Sequence, residues 1–248
     1  MIRAFPATPS CVLYNIPNRD CGSYSKGGAS DIEAYVKWIT AFANGIRDQN
    51  NPIIIFEPDA LAHAVNNPWD QPPSPELLER IAIYKQCLPI LQAAGCQLYV
   101  DIGHPRWLQP WKAAEVLNML DPKSFDGFCL NVSNFVPLDE CIAWGEQVSA
   151  LCGDKHFVID TSRNGTNEHN NDWCNPKDKR LGHVPTLETG HPLIDAFLWI
   201  KVPGESDGYC DGGPKAGIFW PEYAAMLLGS ESIKPAFVDD PNNSMTGP

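Results

Sequence analysis

Five acidic residues in this sequence stand where an apolar run gives way to a polar loop: Asp20, Asp59, Asp101, Glu205 and Asp207. The pattern is plainest in Asn51 to Leu61, NPIIIFEPDAL. Three isoleucines and a phenylalanine make a short, fully apolar run of the kind buried on both faces of a parallel sheet. Pro58 has no N–H to give a ladder, so a strand here must stop. That leaves Asp59 at the C-terminal end of a buried parallel strand, the edge where α/β proteins place ligands and chemistry. Carboxylates crowded at one edge push each other's pKa values apart, so that one keeps its proton at neutral pH while another stays ionised. A general acid paired with a base needs that. Arg19, His104 and Lys201 lie near these acids in sequence, and Tyr14, Trp107, Trp111, Trp173 and, less directly, Trp69 fall in the same stretches. Flat aromatic faces beside carboxylates suit pyranose rings, whose C–H faces are apolar and whose rims are hydroxyl. Acids with aromatic platforms point to glycoside hydrolysis.

Each feature has a plainer reading. Asp59 could simply cap a following helix, Ala60 to Val65. An acidic cluster can also hold Ca²⁺ or Mg²⁺. His104 could bond a neighbouring carboxylate instead of a sugar, and Arg19 and Lys201 could do no more than neutralise acids. Asp160 and Arg163 are expected to pair and order their own loop, and Trp38 and Trp199 are assigned to the core.

The elements that must position these groups follow a repeating order. Apolar strand patterns at Cys11–Ile16, Ile53–Phe56, Cys96–Val100, Gly127–Val132, His156–Ile159 and Ile194–Val202 each discharge polar residues at the same end. Between them run helical patterns. The first opens on a Ser30/Glu33 capping box and repeats Ile32, Tyr35, Val36, Ile39, Phe42 and Ile46 at helical spacing. The next has Ser74 and Pro75 as N-cap and first residue and runs to Gly95; others cover Trp111–Leu120 and Asp139–Cys152. Gly22 to Gly28, GSYSKGG, is a loop suited to moving over a ligand. Six β-loop-α units give an α/β fold, an incomplete, distorted parallel β/α barrel of the TIM type. No GxGxxG follows the first strand, which disfavours a dinucleotide fold.

At 248 residues the chain suffices for one domain, read as 1–231 with a C-terminal tail at 232–248. A net charge of −12 without a basic stripe argues against nucleic acid. No apolar run is long enough to span a membrane. Nine cysteines, none in a CxxC pair, favour disulfides in an exported protein over a metal site, although no signal peptide is visible. A monomer without a cofactor or metal is expected.

Six segments carry a specific resemblance in order: YNIPNRDC from Tyr14, FEPDAL from Phe56, YVDIGH with Trp107, IDTSRNG from Ile159, DWC from Asp172, and AFLWIKVPGESDG from Ala196. Together they resemble glycoside hydrolase family six, the cellulases that include cellobiohydrolases and endoglucanases. The resemblance implies a distorted β/α barrel that hydrolyses β-1,4-glucan with inversion at the anomeric carbon. Residue by residue, Asp59 matches the general acid. Asp20 matches the carboxylate that supports it and is linked to the attacking water. Asp207 matches the proposed base, and Asp101 a carboxylate that holds the acid in place. Tyr14 matches the ring pressed on the distorted sugar. Trp107 and Trp173 match platforms on either side of the scissile bond, and Lys201 and Glu205 match polar contacts on the non-reducing side. Arg19, His104 and Asn134 are further candidates for sugar contact. An inverting pair leaves room for a water, so Asp59 and Asp207 are expected ~6.5–9.5 Å apart.

Cys174 and Cys210 match a family disulfide. Cys21 matches a half-cystine whose partner position here holds no cysteine, and Cys129 reads as a buried thiol. The family's opening strand has no counterpart after Met1, and the roofing loops are short, Phe219-Trp220 following soon after Asp207. Short roofs favour an open cleft and internal cleavage. The expected protein is thus a secreted endo-β-1,4-glucanase acting on cellulose or a related β-glucan. The alternatives are a cellobiohydrolase or a catalytically impaired glucan-binding protein.

Overall fold

The computed structural model describes residues 10–65, 72–167 and 172–229. The expected tail at 232–248 and Trp69 lie outside them. Six strands form one parallel sheet in which every strand neighbours the next in sequence: β1 (Ser10–Leu13), β2 (Ile53–Phe56), β3 (Gln97–Asp101), β4 (Gly127–Leu130), β5 (His156–Asp160) and β6 (Ile194–Leu198). Such an order, with a helix or long loop in each crossover, curls the sheet into the distorted, partial barrel expected for a TIM-like fold. β1 and β6 are its two edges among the described residues.

The strands are apolar throughout because both faces are buried. Alternate residues of β2 separate onto two cores: Ile54 and Phe56 pack outward with Tyr35, Ile39 and Tyr84, while Ile53 and Ile55 join Tyr99, Cys129, Val158 and Ala196 inside the barrel. The outer layer is supplied by α1 (Ile32–Ile46), α2 (Ala60–Ala64), α3 (Pro75–Gln92), α4 (Pro110–Leu117) and α5 (Leu138–Leu151); α6 (Pro221–Leu227) closes the described chain. The Ser74 hydroxyl accepts the Leu77 N–H at 3.0 Å with Pro75 in the first turn of α3, as the sequence pattern requires.

Several expectations are corrected. The cap of α1 is Asp31, whose carboxylate accepts the Ala34 N–H at 2.8 Å; Ser30 donates to Asp31 instead of capping. A carboxylate reaches the free N–H groups and complements the helix dipole better than a hydroxyl one residue further out. Trp38 is 36% exposed on the flank of α1, stacked between Tyr35 and Phe42. Trp199 lies beyond β6, half-buried, with its indole N–H donated to the His183 carbonyl at 2.9 Å. The strands also end earlier than their apolar patterns. Beyond the ladder, Ile16 stays buried in the outer core, while Val132 and the half-buried Ile200 line the barrel mouth.

Candidate active site

The strand ends open onto a cleft of about 860 Å³. Tyr14 and Asp20 reach it from the β1 loop, Asp59 and His63 from the β2 loop and α2, and His104 and Trp107 from the β3 loop. Asn134 comes from the β4 loop, Trp173 from the loop after β5, and Lys201, Glu205 and Asp207 from the loop after β6. Arg19 and Asp101 are not in the lining. The chain turns sharply at these positions. Asn18, Asp20, Glu57, Asp59, Asn131 and Ser133 all have positive φ, a region that residues with a side chain rarely occupy and that clusters at functional sites.

Asp59 sits at the head of α2 with φ of 67°, and its side chain makes no capping bond, so the helix does not account for it. Burial, then the negative charge of Asp20, pushes its carboxyl up from 3.8 to about 7. Its N–H is donated at 2.8 Å to Asp101, a fully buried carboxylate that also receives the Gly103 N–H at 3.2 Å and the Cys129 thiol at 3.6 Å. Asp101 thus holds the backbone of Asp59, and burial raises its own pKa well above the usual range. Asp20 accepts the Ser25 N–H at 2.6 Å, which fixes it at the mouth of its loop. Burial, Asp59 and Asp20 together keep the Tyr14 phenol neutral. Arg19 donates to the Tyr14 and Ser25 carbonyls and lies 5.0 Å from the Tyr14 ring centre. It braces this loop instead of facing the cleft.

Asp207 is built differently. The fully buried Arg163 donates to both of its oxygens at 2.9 and 2.8 Å, and the Asn175 N–H adds a bond at 3.0 Å. Lys201 stands 3.7 Å from Asp207 and 3.8 Å from Glu205; burial, then Arg163, lowers its pKa while the two acids oppose. The expected pairing of Arg163 with Asp160 is therefore wrong. Asp160 is buried and accepts the N–H groups of Ser133, Ser162, Ile200 and Lys201 at 2.9 to 3.3 Å, which ties the ends of β4, β5 and β6 together. With its lone pairs filled by backbone, Asp160 leaves Arg163 free to serve Asp207.

The aromatic residues divide. Trp173 is 53% exposed in the cleft wall, and Trp107 packs on His63 and His104 with ring centres at 4.8 and 5.6 Å. Burial and the nearby Arg106 push His104 down to about 4, so its ring is neutral. Trp111 does not line the cleft; it lies 39% exposed on α4 beneath Lys112. Tyr24, not anticipated, faces Trp173 at 6.2 Å, and its ring occupies the space where a Cβ on Gly208 would fall at 2.5 Å. The Asp20 loop thereby leans on the Asp207 loop. Cys174 and Cys210 are bridged, with 6.2 Å between their Cα atoms, so Trp173 and Asp207 share one stapled unit. The other seven cysteines are free, with Cys21 exposed and Cys129 a buried thiol as expected. Asn175 was also missed. Besides its N–H bond to Asp207, its amide accepts the Asp207 N–H at 2.8 Å and donates to the Gly208 and Cys210 carbonyls. Only the neighbouring DWC motif hinted at it.

Among the described residues no group of three or more His, Cys, Asp or Glu side chains stands close enough to hold a metal ion, and no helix is long and apolar enough to cross a membrane.

The profile of "Glycosyl hydrolases family 6" matches residues 1–231. Endoglucanase A of Cellulomonas fimi is 43% identical over 220 residues, 89% of this chain and 46% of that protein. Endoglucanase 1 of Streptomyces halstedii is 41% identical over 231 residues, 89% of this chain and 68% of that protein. This chain therefore spans about half the length of the first relative and two thirds of the second. Among solved structures, the endoglucanase Cel6 of Mycobacterium tuberculosis, in complex with methyl-cellobiosyl-4-deoxy-4-thio-beta-D-cellobioside, superposes with a TM-score of 0.81 at 43% identity. That superposition covers 89% of this chain and 75% of the other.

Proposed function

The chain belongs to glycosyl hydrolases family 6, and from that premise we propose that it cleaves internal β-1,4-glucosidic bonds of cellulose or a related β-glucan with inversion. The observation that carries the reading is the place of the Asp59 carboxyl, free of any capping bond in the lining of an aromatic-walled cleft, where burial and Asp20 push its pKa up to about 7. A carboxylic acid poised near the working pH is the group that protonates a leaving glycosidic oxygen.

The glucan lies along the cleft with Trp173 and Trp107 as platforms and Lys201 and Glu205 on the ring hydroxyls. Asn134 and the neutral His104 offer further hydrogen-bonding groups in the cleft lining. The neutral Tyr14 presses on the sugar at the scissile bond. As the bond from C1 to the glycosidic oxygen breaks, Asp59 gives that oxygen its proton. A water attacks C1 from the opposite face and forms the new C–O bond, and its proton leaves toward the Asp20 and Asp207 side. Asp59, then a carboxylate, is reprotonated from solvent before the next turnover. Asp101 acts through the backbone of Asp59, and Arg19 through the carbonyls of Tyr14 and Ser25.

Internal cleavage is supported by the exposure of Trp173 and by the short stretch between Asp207 and Trp220. The relatives over 40% identical described above are also named endoglucanases. The disulfide supports an extracellular setting. The test is hydrolysis of carboxymethylcellulose, with viscosity and reducing ends followed together and the anomeric form of fresh product read by NMR. A rapid viscosity fall with α-anomeric product is expected. Slow viscosity loss with steady cellobiose release would make the protein a cellobiohydrolase. Binding of cello-oligosaccharides without hydrolysis would leave a binding protein.

A further inference from the structure

One buried carboxylate has no place in this chemistry. Glu57 follows β2, two residues before Asp59, is fully buried and does not line the cleft. We propose that Glu57 is a positioning residue: its carboxylate clamps the base of the loop that carries Asp20 and sets Tyr14 against Asp59. This rests on the roles given above to those three residues.

The clamp is made of four contacts to its two oxygens. The Asn15 N–H lies 2.9 and 3.1 Å from them, the Ile16 N–H donates to Oε2 at 3.0 Å, and the Tyr35 hydroxyl donates to Oε1 at 2.7 Å. Asn15 directly follows Tyr14, so fixing its N–H fixes the plane from which the Tyr14 side chain projects. The carbonyls of the same two residues hold the rest of the loop. Asn15 accepts the Ala29 N–H at 2.8 Å, and Ile16 accepts the Arg19 N–H at 3.2 Å. A Cβ on Gly28, whose φ is +102°, would fall 2.0 Å from the Ile16 carbonyl, so the returning strand of the loop sits directly on this turn. Both ends of the Asp20 loop thus meet where Glu57 holds the chain.

Glu57 is itself held. Its N–H extends the β1–β2 ladder by one rung to the Leu13 carbonyl at 2.8 Å, its φ is 48°, and its carbonyl receives the Tyr84 hydroxyl at 3.4 Å. Such a backbone persists only where the surroundings over-determine it. Burial pushes the carboxyl up from 4.5 to about 7, against the Asn15, Tyr35 and Ile16 bonds and the charge of Arg80 on α3. A leucine would fill the same space without the cost of burying a charge, but it could not receive two N–H groups. One side chain thereby ties the acid's strand to the turn that presents the groups facing it.

The test compares wild type, Glu57→Gln and Glu57→Leu. Glutamine keeps a carbonyl oxygen for Asn15 and Ile16 and turns its amide toward Tyr35, whose hydroxyl can accept. Glu57→Gln is expected to keep kcat on a soluble glucan within ~3-fold, whereas Glu57→Leu loses ~100-fold in kcat with KM changed less than ~3-fold, the cost of a small misplacement. Hydrogen exchange of the amides in 15–20 quickens in Glu57→Leu and not in Glu57→Gln. If Glu57→Leu does not fold, Glu57→Asp, one methylene too short, takes its place with the same expectation. A folded leucine or aspartate variant with wild-type kcat overturns the proposal, as does a glutamine variant as impaired as the leucine one. Failure of the wild type to cleave any glucan would overturn the functional reading instead. The exchange experiment still decides the clamp, which unchanged exchange in Glu57→Leu or Glu57→Asp would refute.

Discussion

Asp59 and Asp207 occupy the same cleft under opposite conditions. Around Asp59 the described residues supply burial and a like charge from Asp20, with no cation to offset them, and the carboxyl is pushed up to about 7. Around Asp207 they supply Arg163, the Asn175 N–H and, at 3.7 Å, Lys201. The lesson is that an acid is made by withholding partners, whereas the Asp207 carboxyl is locked in place by supplying them. One fold does both within a single rim because each strand end brings its own loop.

The difference can be broken at Arg163 first. Arg163→Met leaves the Asp207 carboxylate buried without its main partner and is expected to cost ~3–5 kcal/mol in denaturant unfolding, the penalty for half of a buried ion pair. A loss below ~1 kcal/mol would show that solvent already screens the pair. Next comes the staple. Removing the bridge with Cys174→Ser and Cys210→Ser is expected to cost ~2–4 kcal/mol of stability. It should lower kcat as the Asp207 loop loosens, while the pH dependence set by Asp59 stays in place.

On the Asp59 side the sign runs the other way. Its folded pKa is raised, so its contribution to stability is fully present below the ordinary value of 3.8 and is lost as pH rises through about 7. Asp59→Asn removes that loss. The variant should gain on the wild type between those pH values and stay ahead above them, by ~1–3 kcal/mol after allowance for the open side of the cleft. Thermal melts across this range would show it, and parallel curves would contradict it. The smallest effect is expected from Asp20→Asn. With that charge gone, the residual activity should lose its basic limb at a lower pH, by less than about one unit through a water-filled cleft.

Much of this was legible in the sequence for a physical reason. An apolar run interrupted by proline marks a strand end, the edge where α/β proteins place ligands and chemistry, so Asp59, Asp20 and Asp207 could be picked out before their geometry was known. What stayed hidden were the partners. Arg163 reaches Asp207 across 44 residues and Glu57 reaches Ile16 across 41, distances at which no local pattern operates. Asp160 looked like the natural mate of Arg163 because it is near in sequence. The loop ends of three strands compete for it, and they win. Glu57 was read only as part of the FEPDAL run, since burial of a carboxylate cannot be anticipated until its N–H donors have been brought to it. Trp111 and Trp38 misled in the opposite direction, because a tryptophan at a helix position says nothing about which flank will be covered.

The most direct test of the central claim is leaving-group dependence. A general acid matters when the departing oxygen is basic and not when it leaves unaided, so Asp59→Asn should be measured on cellotetraose and on a 2,4-dinitrophenyl cello-oligosaccharide. On cellotetraose kcat is expected to fall ~10²–10⁴-fold, while the activated substrate should lose less than ~10-fold. An equal loss on both would contradict the assignment of Asp59 as the acid.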